Sequence, residues 1–222
     1  MPHPTLSIEF KHEFVVDDRE PSRYVKDIEG SVYVHYENSK VKAGRFAVFV
    51  IDAEAAVNEQ EDVFDCFDHS ERTVDYFDLY LPHLDFKPKV VKLLTGGERW
   101  APNILILDRL EILPRFRGRG VGLRTLRWLQ FQFGTGCGIV AMKPFPLQFE
   151  GGKPSENAGK ASFVKLGLDS FDNNFDRALG KLRAYYAKLG FVRVPGTPFM
   201  VADPMMKLPD LGHNGQNSAA TG

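Results

Sequence analysis

Two cysteines in 222 residues exclude a dense disulfide framework and a cysteine-only zinc site. Cys66 and Cys137 belong to no Cys-x-x-Cys pair, which suits a reducing compartment. No apolar run approaches the ~18 residues of a membrane-spanning helix. Met1-Pro2-His3-Pro4 opens no basic segment backed by an apolar signal core, so the expectation is a cytoplasmic protein without a membrane partner. His12, His35, His69 and His83 are scattered and fall into no ligand spacing, and no metal is expected. Ser155 and Ser162 lack the strand-turn-helix elbow of a serine nucleophile. No internal repeat is present.

What is there is ordinary globular material: 43% hydrophobic and 26% charged residues, with length enough for one domain over 1–208. The stretch 209–222 has little to bury and reads as a disordered tail. The net charge of −1 conceals a segregation. Eleven carboxylates between Asp52 and Asp85 face Arg72 alone, whereas six arginines between Arg109 and Arg127 face only Glu111. The acids are a solvated helix face or a lure for a cationic acceptor. Nucleic acid is a less economical partner for the arginines than a small anion, because no basic tail or aromatic-basic motif accompanies them.

Strands are expected at Thr5 to Phe10, Ser31 to Tyr36 and Arg45 to Ile51, the last two joined by a long loop from Asn38 to Gly44. One helix is expected from about Ala53 to Leu81, ended by Pro82, with Val63, Phe67, Val74, Phe77 and Tyr80 as its apolar stripe. A buried strand from Ile104 to Ile112, a helix from Val121 to Phe133 and a strand from Cys137 to Met142 form one crossover unit. The prolines and glycines of Lys143 to Leu168 make an insertion or lid. Phe175, Leu179, Leu182, Tyr186 and Leu189 recur at the spacing of a core-facing helix, with strands at Phe191 to Val194 and Phe199 to Val201 beyond it.

The junction Leu110-Glu111-Ile112-Leu113-Pro114-Arg115-Phe116-Arg117-Gly118-Arg119-Gly120-Val121-Gly122 carries the chemistry. A strand ends there in a glycine-rich turn that opens a helix, whose first amides lack intrahelical partners and carry partial positive charge. Glycines let an anion approach the backbone closely. Leu123 stands where a dinucleotide fingerprint needs glycine, and the Lys-Ser/Thr ending of a P-loop is missing. What remains, Arg117-x-x-Gly120-x-Gly122, resembles the acetyl-coenzyme A signature of the GNAT superfamily of N-acetyltransferases. Tyr185-Tyr186-Ala187-Lys188-Leu189-Gly190-Phe191 is similar to that family's late Phe-Tyr-x-Lys-x-Gly-Phe segment.

The resemblance spans roughly Val32 to Val201. It implies an α/β (α+β) fold with a central mixed twisted sheet flanked by helices, and transfer of an acetyl or small acyl group from acetyl-CoA directly to an amine. The main chain of Ile112 and Leu113 is expected to meet the pantetheine arm. The amides of Arg117, Gly118, Arg119, Gly120, Val121 and Gly122 are expected to hold the pyrophosphate, where an added Cβ would take phosphate space. Tyr186 is the expected general acid, with Tyr185 as substitute, or it is a core aromatic of its helix. Glu111 is the candidate general base, or it is the partner of a nearby arginine. The acceptor is a small-molecule or peptide amine, a homodimer is compatible with all of this, and a non-catalytic acyl-CoA-binding or sensor module is the second reading. The usual pair of helices after the first strand has little room here, so acceptor identity does not follow.

Overall fold

The computed structural model describes residues 5–12, 21–94 and 101–207; the tail expected at 209–222 lies outside them. Seven strands among the described residues form one sheet in the order β1-β2-β3-β4-β5-β7-β6. They are β1 (Thr5–Lys11), β2 (Val25–Tyr36), β3 (Ser39–Ile51), β4 (Ile104–Ile112), β5 (Ile139–Met142), β6 (Val192–Arg193) and β7 (Met200–Ala202). All neighbours are antiparallel except β4 and β5, so the sheet is mixed and the chain is α+β.

Alternation along the strands splits the core into two layers. Phe49, Ile51, Ile104, Ile106, Ile139 and Val201 pack on one face against α1 (Ala53–Asn58), α2 (Val63–Asp68) and α3 (Pro88–Val91). On the other, Val48, Leu105, Leu107, Val140 and Met200 meet Leu126 and Leu129 of α4 (Val121–Phe133), together with Leu189 and Phe191. The strand-helix-strand unit β4-α4-β5 therefore falls where the apolar runs put it.

Three expectations are corrected. The hairpin β2-β3 pairs through Tyr36↔Ser39, so its loop is Glu37-Asn38 alone, and β2 begins six residues early. Lys26, Asp27 and Glu29 masked that start in the sequence. The acidic stretch is not one helix but α1, α2 and a 3₁₀ turn at Val74–Leu79. Asp52 and Asp62 accept from the amides of Ala55 and Phe64, starting a new helix each time, and Gln60 at φ +62° ends the first. The stripe of α7 (Phe175–Ala187) is mostly half-buried, with Phe175 38% exposed and Ala178 the buried residue of the helix.

Between β5 and α7 the chain makes the expected irregular insertion, built from α5 (Pro154–Asn157), α6 (Ala161–Lys165) and short 3₁₀ turns. Asn157, 2% exposed, donates from Nδ2 to the carbonyls of Gln148, Glu150 and Gly152, which ties the loop to itself. Among the described residues no helix is long and apolar enough to cross a membrane.

Candidate functional site

The parallel pairing of β4 with β5 ends at Ile106↔Ala141, yet β4 continues to Ile112. Two local features force the parting. Asp108 is a β-bulge, since Ala47 pairs with Arg109 and Val48 with Leu107, and the extra residue bends the strand. Pro144, two residues past β5, has no N–H to extend the ladder. Two adjacent polar residues, Asp108-Arg109, inside an apolar run are the sequence trace of that bulge.

Backbone direction now sorts the expected pantetheine contacts. The Leu113 amide donates to the Ala43 carbonyl at 2.8 Å, so alternation turns Glu111 toward β3 and aims Leu110 and Ile112 at the side β5 has left. Leu113 is thus spent on β3, whereas the main chain of Leu110 and Ile112 turns to the side β5 has left. The Ile112 carbonyl already accepts from Arg117 Nε at 2.9 Å.

Past the strand, Gly118 and Gly120 hold φ of +70° and +72°, and a Cβ built on either meets nothing within 4 Å. That is an open cradle of backbone in front of a helix of 13 residues, with Gly120 as its N-cap and no side chain closing it. Its shape and donors fit a pyrophosphate. Arg119 is exposed beside it, while Arg115 lies over the Phe116 ring at 4.8 Å. Arg117 is not free to join. Its guanidinium also donates to the carbonyls of Leu166 and Gly167 and stacks 4.6 Å from the Phe171 ring, binding the insertion to the turn. Gly122 differs from the other two glycines: its Cβ would stand 2.4 Å from the Tyr185 hydroxyl, so the room it leaves is filled by a side chain of α7 and not by phosphate.

The two tyrosines sit side by side, ring centroids 5.6 Å apart. Burial pushes the Tyr185 hydroxyl up to about 12, although the Leu123 amide at the start of α4 donates to it. Burial, reinforced by Tyr185, raises Tyr186 well above the ordinary phenol value. From the opposite face comes Tyr76, 2% exposed, raised by burial and then by the Asp108 carboxylate, hydrogen-bonded by the backbone of Lys143, and within electrostatic reach of Tyr186. Tyr76 is thus in electrostatic reach of both Asp108 and Tyr186 from the other core layer, and the sequence offered no reason to single it out.

Glu111 stands elsewhere, on the face of the sheet it shares with Arg45 and Arg109. Its side chain is 6% exposed and is gripped by Arg45, at 2.5 and 2.7 Å, and by Arg109 at 2.8 Å. Burial pulls its pKa up, but the hydrogen bonds from the two arginines outweigh that and leave it below the ordinary carboxylate value. A carboxylate so held is a clamp between β3 and β4 and a weak base. Asp108, 18% exposed, is instead bound by one residue, Arg72, at 2.7 and 3.0 Å.

Four carboxylates of the acidic stretch serve its own architecture: Asp52 and Asp62 cap helices, Glu59 pairs with Arg23 and Asp75 with Lys143. Among the described residues, no group of three or more His, Cys, Asp or Glu side chains is placed to hold a metal. Comparison with protein-family models, with curated proteins and with solved structures found no match.

Proposed function

We propose that this chain is an N-acyltransferase of the GNAT type, taking an acyl group from acetyl-CoA to an amine. The observation that carries the reading is the conjunction of a strand abandoned by its parallel neighbour with an open, left-handed glycine cradle at the following helix start. The mixed sheet order and the single parallel pair support it.

In this reading the amides around Gly118, Arg119, Gly120 and Val121 hold the pyrophosphate, and the main chain of Leu110 and Ile112 lines the pantetheine arm. Coenzyme A supplies the thioester and leaves as a thiolate. Tyr186 carries its proton at neutral pH, as any phenol does, and its hydroxyl is the group that donates to that thiolate; burial raises its pKa, so the donation is a hydrogen bond that completes only as the thiolate takes up the proton. Asp108 replaces Glu111 as the carboxylate that faces the acceptor amine, with Arg72 fixing its orientation. Tyr76 closes the site from below and excludes water.

The test is thermal unfolding of the full chain with acetyl-CoA, free coenzyme A and NAD as separate additions, followed by an amine screen for thiol release. A ligand at about a hundredfold its dissociation constant stabilises by about 2.7 kcal/mol. Stabilisation by both coenzyme A forms and not by NAD, with acceptor-dependent thiol release lost in Tyr186→Phe, supports the enzyme. Coenzyme A binding without thiol release for any amine supports a sensor module. No shift with either form removes the acyl-CoA reading.

A further inference from the structure

An open groove of about 700 Å³ crosses the sheet from β1 to β4 on the face that carries α1 to α3 at its other end. The register sets its floor in two rows: Glu9, Ser31, Arg45 and Glu111 in one, Lys11, Glu29, Ala47 and Arg109 in the next. Apart from the buried Glu111, the polar side chains of this sheet face stay at least partly uncovered among the described residues, and the small Ala47 leaves the depression between them. The groove ends at Arg109, adjacent to the Asp108 bulge and hence to the point where β4 and β5 part.

The charges along it are not balanced. Four cations lie along the groove, Lys11, Lys42, Arg45 and Arg109, against three carboxylates, Glu9 and Glu29 in its lining and the buried Glu111 in its floor. Glu9 is already paired with Lys40, which lies outside that lining, and Glu29 lies 3.5 Å from Arg72. Arg45 and Arg109 share the buried Glu111, and Arg109 reaches Glu150 as well. Lys11 and Lys42 meet no carboxylate within ion-pair distance among the described residues. Excess positive charge therefore lies at the β1 end and the β2-β3 end, away from the acyl-transfer point.

We propose that this groove binds the body of the acceptor, and that the acceptor is a short acidic peptide whose free amine reaches Asp108 while its carboxylates lie toward Lys11 and Lys42. The proposal rests on the acyltransferase reading for its chemistry, not for the binding itself. Three strand spacings from β4 to β1 make about 14 Å, which an extended chain covers in about four residues. A compact amino acid spans too little to use both ends. A polyamine brings positive charge to a floor that already has it in excess.

The experiment titrates three probes into the full chain by calorimetry at low ionic strength: Ala-Glu-Ala-Glu, the uncharged analogue Ala-Gln-Ala-Gln amide, and spermidine. The expected result is at least tenfold tighter binding of the glutamate peptide than of either other probe, falling to under twofold in the Lys11→Glu, Lys42→Glu double variant and weakening with salt. Both lysines are exposed, so the variant folds; its unfolding temperature checks this. Equal binding of the two peptides, a preference for spermidine, or discrimination that survives in the double variant overturns the proposal. Acetyl-CoA is then added. Thiol release with the glutamate peptide joins groove and chemistry; selective peptide binding with no thiol release keeps the groove as a peptide site but overturns the peptide as acceptor, and the amine screen decides the acyltransferase reading separately.

Discussion

The Tyr185 hydroxyl occupies the space that a side chain at position 122 would need: a Cβ on Gly122 stands 2.4 Å from that oxygen. The same hydroxyl accepts from the Leu123 amide. Helix α7 is thereby docked onto the first turn of α4, and one of the amides that a helix start leaves unpaired is satisfied by protein. Gly122→Ala is expected to destabilise by about 1–3 kcal/mol, the usual cost of overpacking. In a Tyr185→Phe background the clash is gone, so the same substitution should cost much less. Chemical denaturation of the four chains of this cycle measures the coupling, and additive effects would remove the contact from the account.

Gly118 and Gly120 make the opposite case. Their φ values near +70° charge any other residue about 1–2 kcal/mol, but an added Cβ touches nothing in the protein. Gly120→Ala should therefore lose only that strain in stability while acetyl-CoA binding falls at least tenfold. Titration calorimetry beside thermal unfolding separates the two; unchanged affinity would mean that the cradle holds no phosphate.

Arg117 is the signature arginine by position and a strut by geometry. Its guanidinium ties the Ile112 carbonyl at the end of β4 to the Leu166 and Gly167 carbonyls of the insertion. Lysine has neither the fork nor the planar stack, so Arg117→Lys is expected to behave nearly as Arg117→Ala. Either should cost about 2–3 kcal/mol through lost charge-assisted bonds to carbonyls. Amide exchange is expected to quicken across 161–171 first, because that segment loses its tether; uniform quickening over the whole chain would count against a local strut.

The strand, turn and helix from Ile104 to Phe133 were legible because apolar runs and glycines act locally there. What sequence periodicity missed was set by contacts between distant segments. The early start of β2 depends on pairing Val25 with Ile51. The fragmentation of the acidic stretch depends on single side chains, Asp52 and Asp62, bonding backbone amides that a helical pattern would have left inside one helix. In the candidate site the glycine cradle was readable from spacing alone. The choice of Leu110 over Leu113 required knowing which strand each amide faces, and the place of Tyr76 required the fold, because nothing near it in sequence marks its reach to Asp108 and Tyr186. Glu111 was found by its neighbourhood and given its role by partners 66 residues and 2 residues away.

That role can be read from acid titration. Glu111 has a folded-state pKa below its ordinary 4.5, so its ion pairs contribute stability that is fully present above that value and is lost as pH falls through the lowered one. In Glu111→Gln that contribution is missing at neutral pH, and two arginines are left sharing an uncharged amide. Because Arg45 is 58% exposed, solvent offsets part of the loss, and about 1–3 kcal/mol is expected rather than the full cost of a buried broken pair. The gap between the two chains should close on acidification below pH 4.5, where the natural chain gives up the same energy. Acetyl-CoA affinity should be little changed, since the clamp faces β3 and away from the Leu110 and Ile112 main chain proposed to line the pantetheine arm. A variant of unaltered stability at neutral pH whose thiol release collapses would return Glu111 to the position of general base.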